Sequence, residues 1–159
     1  TMETIITPQQ VIDLAFSPNE LLTPSIITVA DITEAEHCYI RPILGEELWR
    51  MLVDGDYPEL TIEYAGPAIA AWTRYLVQPL LEQRCSACLT DDNRSIYDST
   101  TAGNNRQRGV QRTLRRKASI LSKRLTEYLN RNTDMYPEYV PVNNPLNRCS
   151  INGDIIQIR

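Results

Sequence analysis

Residues 64–81 read YAGPAIAAWTRYLVQPLL, and only Thr73, Arg74 and Gln78 in that run are polar. A membrane-spanning helix needs about 20 apolar residues in a row. This run is a little short, carries Arg74 near its middle and holds prolines at 67 and 79. A charge at mid-span is costly in lipid, so the expectation is the central helix of a helical protein, starting at Thr61 or Gly66 and ending near Leu89. Arg74, Gln78 and Glu82 recur every four residues as its single polar stripe. A helix apolar around most of its circumference must be covered on several sides. Trp72 and Tyr75 give it the bulk to meet three neighbours, and Pro79 should kink it.

The N-terminal flank supplies those neighbours as shorter helices. Thr7 can cap a helix in which Pro8 takes the first position and Gln10 closes a capping box; it stops before Ser17-Pro18. A second helix should begin near Ser25, with Val29, Ile32, Ile40 and Ile43 at helical spacing and Asp31, Glu34, His37 and Arg41 on the other side. Pro42 should break or kink it. Gly45 permits a tight turn, and Glu46 and Glu47 suit the positive end of a short helix, EELWRMLV, that stops at Asp54-Gly55.

On the C-terminal side, residues 90–105 (TDDNRSIYDSTTAGNN) read as a long polar loop, with Ser95-Ile96-Tyr97 as a brief strand. Residues 106–131 then form a helix whose inner stripe is Leu114, Ala118, Leu121, Leu125 and Leu129. Arg112, Arg116, Lys123 and Glu127 project about opposite, with Ile120 among them. After Asn132 the chain is rich in Pro and Asn and should be extended and helix-free. Asn152-Gly153, flanked by Ile151 and Ile155-Ile156-Gln157-Ile158, is a strong hairpin signal. The fold class expected is therefore all-α, a four- to five-helix bundle with a small C-terminal β-hairpin. The division expected is a helical domain over 1–131 and a Pro/Asn-rich extended tail over 132–159 that ends in the hairpin.

Charge is distributed unevenly over this plan. The 159 residues carry a net charge of −4, yet residues 106–131 hold nine Lys/Arg and one acid, whereas residues 1–98 hold five Arg against sixteen Asp/Glu. A basic element on an acidic body can dock on another acidic body or face a polyanion. Self-assembly or nucleic-acid contact is favoured over small-molecule chemistry.

Motifs for chemistry are sparse. Cys85-Ser86-Ala87-Cys88 closes a helix, where a redox pair would open one after a strand. A zinc site would need two more ligands from His37, Cys38 and Cys149, and no second C-x-x-C exists. The four cysteines are expected to be unbridged and metal-free. His37, the only histidine, sits in no nucleophile motif. Glu34/Glu36, Glu46/Glu47 and Asp91/Asp92 are neighbours in sequence and read as a solvated face and a helix start. Asp91-Asp92-Asn93 lacks the glycine and closing Glu of a calcium loop. No phosphate-binding glycine loop occurs. The start, TMETIITPQQ, has neither the basic nor the apolar region of a signal peptide. The chain is expected to be no enzyme and to take no cofactor.

One combination of motifs is more distinctive. Ala35-Glu36, Tyr39-Ile40 and Leu44-Gly45 close one helix, Leu48-Trp49 and Leu52 mark the next, and Leu125, Tyr128 and Leu129 end the basic one. Over about residues 25–131 this resembles the head–tail connector (adaptor, head-completion) proteins of tailed bacteriophages and prophages. The resemblance implies a structural virion subunit that forms a ring under the portal and joins it to the tail. Its partners would be further copies of itself, the portal and tail proteins, with non-specific DNA contact and no membrane. Its location would be the virion, and the bacterial host cytoplasm during assembly. The Pro-rich tail and hairpin extend beyond the family's compact core. Arg112, Arg116, Ile120 and Lys123 are the candidates for an interface or for facing phosphate. The alternative is a small helical DNA-binding or regulatory module using the basic helix 106–131. A major-groove reader wants a short helix and tight turn just before it, and the polar loop there counts against that.

Overall fold

The computed structural model describes residues 4–20, 24–88, 100–152 and 155–158. Helix α1 (Pro8–Ala15) starts on the expected box: Thr7 Oγ1 accepts from the Gln10 amide at 3.3 Å, and Gln10 Oε1 accepts from the Thr7 amide at 2.8 Å. A second box, not anticipated, opens α2 (Val29–Ala35), where Asp31 Oδ2 accepts from the Thr28 amide at 2.8 Å and Thr28 Oγ1 from the Asp31 amide at 3.3 Å. Asp at the third position does there what Glu or Gln does elsewhere. The expected start near Ser25 is only a short 3-10 turn, Pro24–Ile26.

Pro42 does not break the helix it sits in. A π-turn, Glu36–Ile40, leads directly into α3 (Arg41–Leu44), and the Arg41 amide reaches back five residues to the Glu36 carbonyl. Gly45, at φ +81°, then reverses the chain into α4 (Glu46–Val53), and Gly55, at φ +92°, ends the next turn. The π-turn recurs after α5 (Pro58–Leu60). Residues Thr61–Ala65 widen the turn, the Gly66 amide reaches the Thr61 carbonyl, and α6 (Gly66–Cys88) begins with Pro67 in second position. Proline lacks an amide and its ring collides with the carbonyl four residues back in a regular helix. A wide turn just before each X-Pro moves that carbonyl aside, which explains why both prolines are absorbed. Pro79 lies inside α6 without ending it.

Helix α6 is central, packing on α1, α2 and α7 (Thr100–Arg131). Ala68, Ile69, Ala70, Ala71 and Val77 are buried, Trp72 is 6% exposed, and Leu76 is half-buried. Buried Thr73 donates to the Ile69 carbonyl at 2.8 Å, so it leaves no unpaired polar group. Arg74 of the polar stripe caps α1: it donates to the Ala15 carbonyl, pairs with Glu20 at 2.8 Å and lies 4.5 Å over the Phe16 ring. Helix α7 begins six residues before the expected 106. Residues 89–99, with the expected Ser95–Tyr97 strand, lie outside the described residues.

The expected fold class needs correcting. The core is all-α, as read, but among the described residues it is built from more and shorter segments than four or five helices, and no strand takes part in it. Residues 132–148 are not an extended tail. Tyr136, Tyr139 and Asn144 are buried, a 3-10 turn spans Pro141–Asn143, and α8 (Pro145–Arg148) packs on α3 and α7. Position 131 is therefore no edge of the packed body. Asn144 Nδ2 donates to the Tyr139 hydroxyl at 2.9 Å, and its Oδ1 accepts from the Leu146 amide at 3.0 Å. Side-chain amides thus close the turns that the Asn/Pro composition suggested would stay open. Beyond them, among the described residues, β1 (Cys149–Asn152) and β2 (Ile155–Ile158) pair with each other alone, Cys149 opposite Ile158. This ribbon adds no layer to the fold, so the description of a bundle with a β-hairpin as part of its architecture is withdrawn. Gly153 of the turn signal lies outside the described residues.

Candidate functional site

Helix α7 is 32 residues long, about 48 Å at 1.5 Å per residue. Its inner face is set by Ala118, Leu125 and Leu129, all fully buried, with Leu114, Leu121 and Tyr128 half-buried beside them. Two polar residues share that face. Ser122 Oγ accepts from Trp72 Nε1 at 2.8 Å, and Thr126 Oγ1 accepts from Asn144 Nδ2 at 3.3 Å. Tyr128 stacks on Tyr64 at 4.0 Å, and Arg124 lies 5.1 Å over the Tyr64 ring. These contacts leave one direction for the rest of the helix. Arg112, Arg116, Ile120 and Lys123 all point to solvent, and Ile120 is 58% exposed.

The electrostatics of the two halves differ. Among the described residues, ion pairs join Arg41 to Glu46, Arg50 to Glu46 and Arg74 to Glu20, all within residues 20–74. Arg41 grips Glu46 with two bonds of 2.7 and 2.6 Å, which holds the Glu46 carboxyl below its ordinary range. None of the nine cations of α7 pairs with a carboxylate among the described residues. Unneutralised guanidinium and ammonium groups around one exposed isoleucine form a surface that can meet carboxylates or phosphates while its stems and Ile120 cover apolar area.

Other candidates gather no chemistry. His37 and Cys38 are exposed, and Cys38 is a free thiol. The side chains of Cys85, Cys88 and Cys149 lie outside the described residues. Among the described residues no group of His, Cys, Asp and Glu is placed to hold a metal, and no helix is long and apolar enough to cross a membrane. A cavity of about 190 Å³ between α1, α6 and α7 is lined by Leu14, Ala71, Leu114 and Leu121 with Arg74 and Lys117 at its edge. Among the described residues its lining holds no carboxylate, thiol or hydroxyl.

Sequence reasoning missed Glu36. Its neighbour Glu34 makes it read as part of a solvated face, but it is 2% exposed in the first π-turn. Its Oε1 accepts from the Ile5 amide at 2.8 Å and its Oε2 from Trp49 Nε1 at 3.2 Å. Burial outweighs these donors and pushes the carboxyl up to about 7. The signal was present: Glu36 lies four residues from both Ile32 and Ile40, on the apolar stripe itself. Its contacts anchor the chain before α1 and α4 to one carboxyl, a structural arrangement with no open cleft among the described residues around it.

A family model described as a family of unknown function, DUF6712, matches residues 40–148. The match spans more than half of the chain, which belongs to that family. It runs from the end of the first π-turn through α8 and so crosses position 131 without interruption. No curated protein and no solved structure matches the chain.

Proposed function

We propose that the chain is a structural virion subunit, a head–tail connector that forms a ring under the portal of a tailed phage or prophage. The observation that carries this reading is the outer face of α7, where Arg112, Arg116 and Lys123 surround Ile120 with no carboxylate partner among the described residues. An unpaired basic face on an otherwise acidic chain suits a head-to-tail contact, in which one surface docks on a different surface of the next copy. The resemblance of residues 25–131 to connector proteins supplies the biological setting. Arg112→Glu, Arg116→Glu and Lys123→Glu together should leave the helical circular-dichroism signal intact and stop completed heads from joining tails. Normal joining by the triple variant would remove the stripe from assembly.

The same unpaired cations favour a second reading, a helical module that binds duplex DNA through phosphates. Phosphate contact by several cations makes affinity fall steeply with salt. A salt-dependent duplex affinity in the isolated monomer, together with unimpaired head–tail joining in the triple variant, would select that reading. A position for the gene beside portal and capsid genes would select the connector.

A further inference from the structure

The acidic half of the chain carries a surface that mirrors the basic stripe. Glu59, Ile62 and Glu63 lie three and four residues apart across α5 and the second π-turn, a spacing that puts them on one helix face. All three are exposed, and Ile62 is 69% exposed, more than Ile120 itself. Neither Glu59 nor Glu63 has an ion-pair partner among the described residues, although carboxylates elsewhere in this half do. Ile62 points away from α7 of its own chain. Tyr64 faces α7 and stacks on Tyr128 at 4.0 Å, and Ile62, two positions earlier, points nearly the opposite way.

Two patches therefore sit on one molecule, each an exposed isoleucine framed by charges of one sign that have no ion-pair partner among the described residues. We propose that Glu59, Ile62 and Glu63 of one copy dock on the Arg116–Ile120–Lys123 stripe of a second copy, isoleucine against isoleucine with the carboxylates over the cations. This rests on the connector reading above and names the surface its basic stripe would meet. Because the two patches face different ways, the contact is heterologous: each copy offers one knob and one stripe, and copies add in sequence until a ring closes. The isoleucines provide the desolvated centre and the charges the rim that fixes register.

The test uses Ile62→Asp and Ile120→Asp, both at exposed positions, with circular dichroism to confirm folding and sedimentation velocity across concentration and salt. Wild-type protein should self-associate, more weakly at high salt. Each single variant should shift association to concentrations about tenfold higher or more. The decisive arm is the mixture. The Ile120→Asp chain keeps its knob and the Ile62→Asp chain keeps its stripe, so together they should form a 1:1 dimer and nothing larger. A wild-type chain that stays monomeric throughout, or a mixture that gives no dimer, overturns the knob–stripe contact. If Ile120→Asp alone abolishes association, the stripe stands and Ile62 is the wrong partner. If neither variant alters association, the stripe reading falls as well.

Discussion

The continuous helix 29–44 and helix α7 handle charge in opposite ways. The first turns a carboxyl inward: Glu36 lies in its π-turn, satisfied by the Ile5 amide and the Trp49 indole. The second turns every cation outward and, among the described residues, buries the polar side chains of Ser122 and Thr126. A charge that the chain itself satisfies belongs to the fold, and its removal should be read in stability. Charges left unpaired among the described residues are free to meet solvent or a partner, and on the connector reading their removal should be read in assembly. Trp72 joins the two regions, since it stacks on Tyr39 of the first at 3.8 Å and donates to Ser122 of the second.

The largest effect should follow from cutting that joint. Trp72→Ala removes a buried ring, its stack and its hydrogen bond, and should cost about 3–5 kcal/mol, measured by urea unfolding. A melt unchanged by it would separate the two regions and undo the packing order. Next comes Glu36. A carboxyl raised from 4.5 to about 7 favours the folded state in its neutral form. That contribution is complete below pH 4.5 and is lost as pH climbs through 7, a change of roughly 3 kcal/mol. Glu36→Gln should therefore unfold with a flatter pH dependence than wild type between pH 4.5 and 8, and should gain on it at the alkaline end. Parallel pH profiles for the two would show that the carboxyl is charged at no cost.

Smaller effects sharpen the contrast. Thr28→Ala removes the cap of α2 and should cost about 1 kcal/mol, visible as a lower urea midpoint. Each single Glu change at Arg112, Arg116 or Lys123 should change stability by less still, within about 0.5 kcal/mol, although on the connector reading the triple variant is expected to stop head–tail joining. Unfolding of that variant would mean that the outer and inner faces of α7 are reversed.

What could be read in the sequence was local. The Thr7 box, the Gly45 turn, the start of α4 and the alternation of Leu125 and Leu129 with Arg116 and Lys123 each depend on residues a turn or two apart. The outward placement of Arg112, Arg116, Ile120 and Lys123 follows from the same periodicity. What escaped depends on distant partners. Glu36 is inside because Ile5 and Trp49 come to it from 31 and 13 positions away. Tyr136 and Tyr139 are buried because Tyr128 and Asn130 wait on α7, at 3.3 Å to the Tyr136 hydroxyl and 2.9 Å to the Tyr139 hydroxyl. Pro and Asn composition alone reads as open chain. The Glu59–Ile62–Glu63 surface was missed because its meaning lies in what surrounds it.

The paired π-turns have a consequence for how the length of this chain can change. Each holds one residue more than a regular helical turn and stands directly before an X-Pro step, Arg41-Pro42 or Gly66-Pro67. Removing one residue from 61–65 would let the turn close to regular helix while α6 keeps its face toward the core. It would also bring Pro67 against the carbonyl four residues back, at a cost of about 3 kcal/mol. A one-residue deletion there should be tolerated only together with Pro67→Ala, so that the proline and the extra residue are gained or lost as a unit.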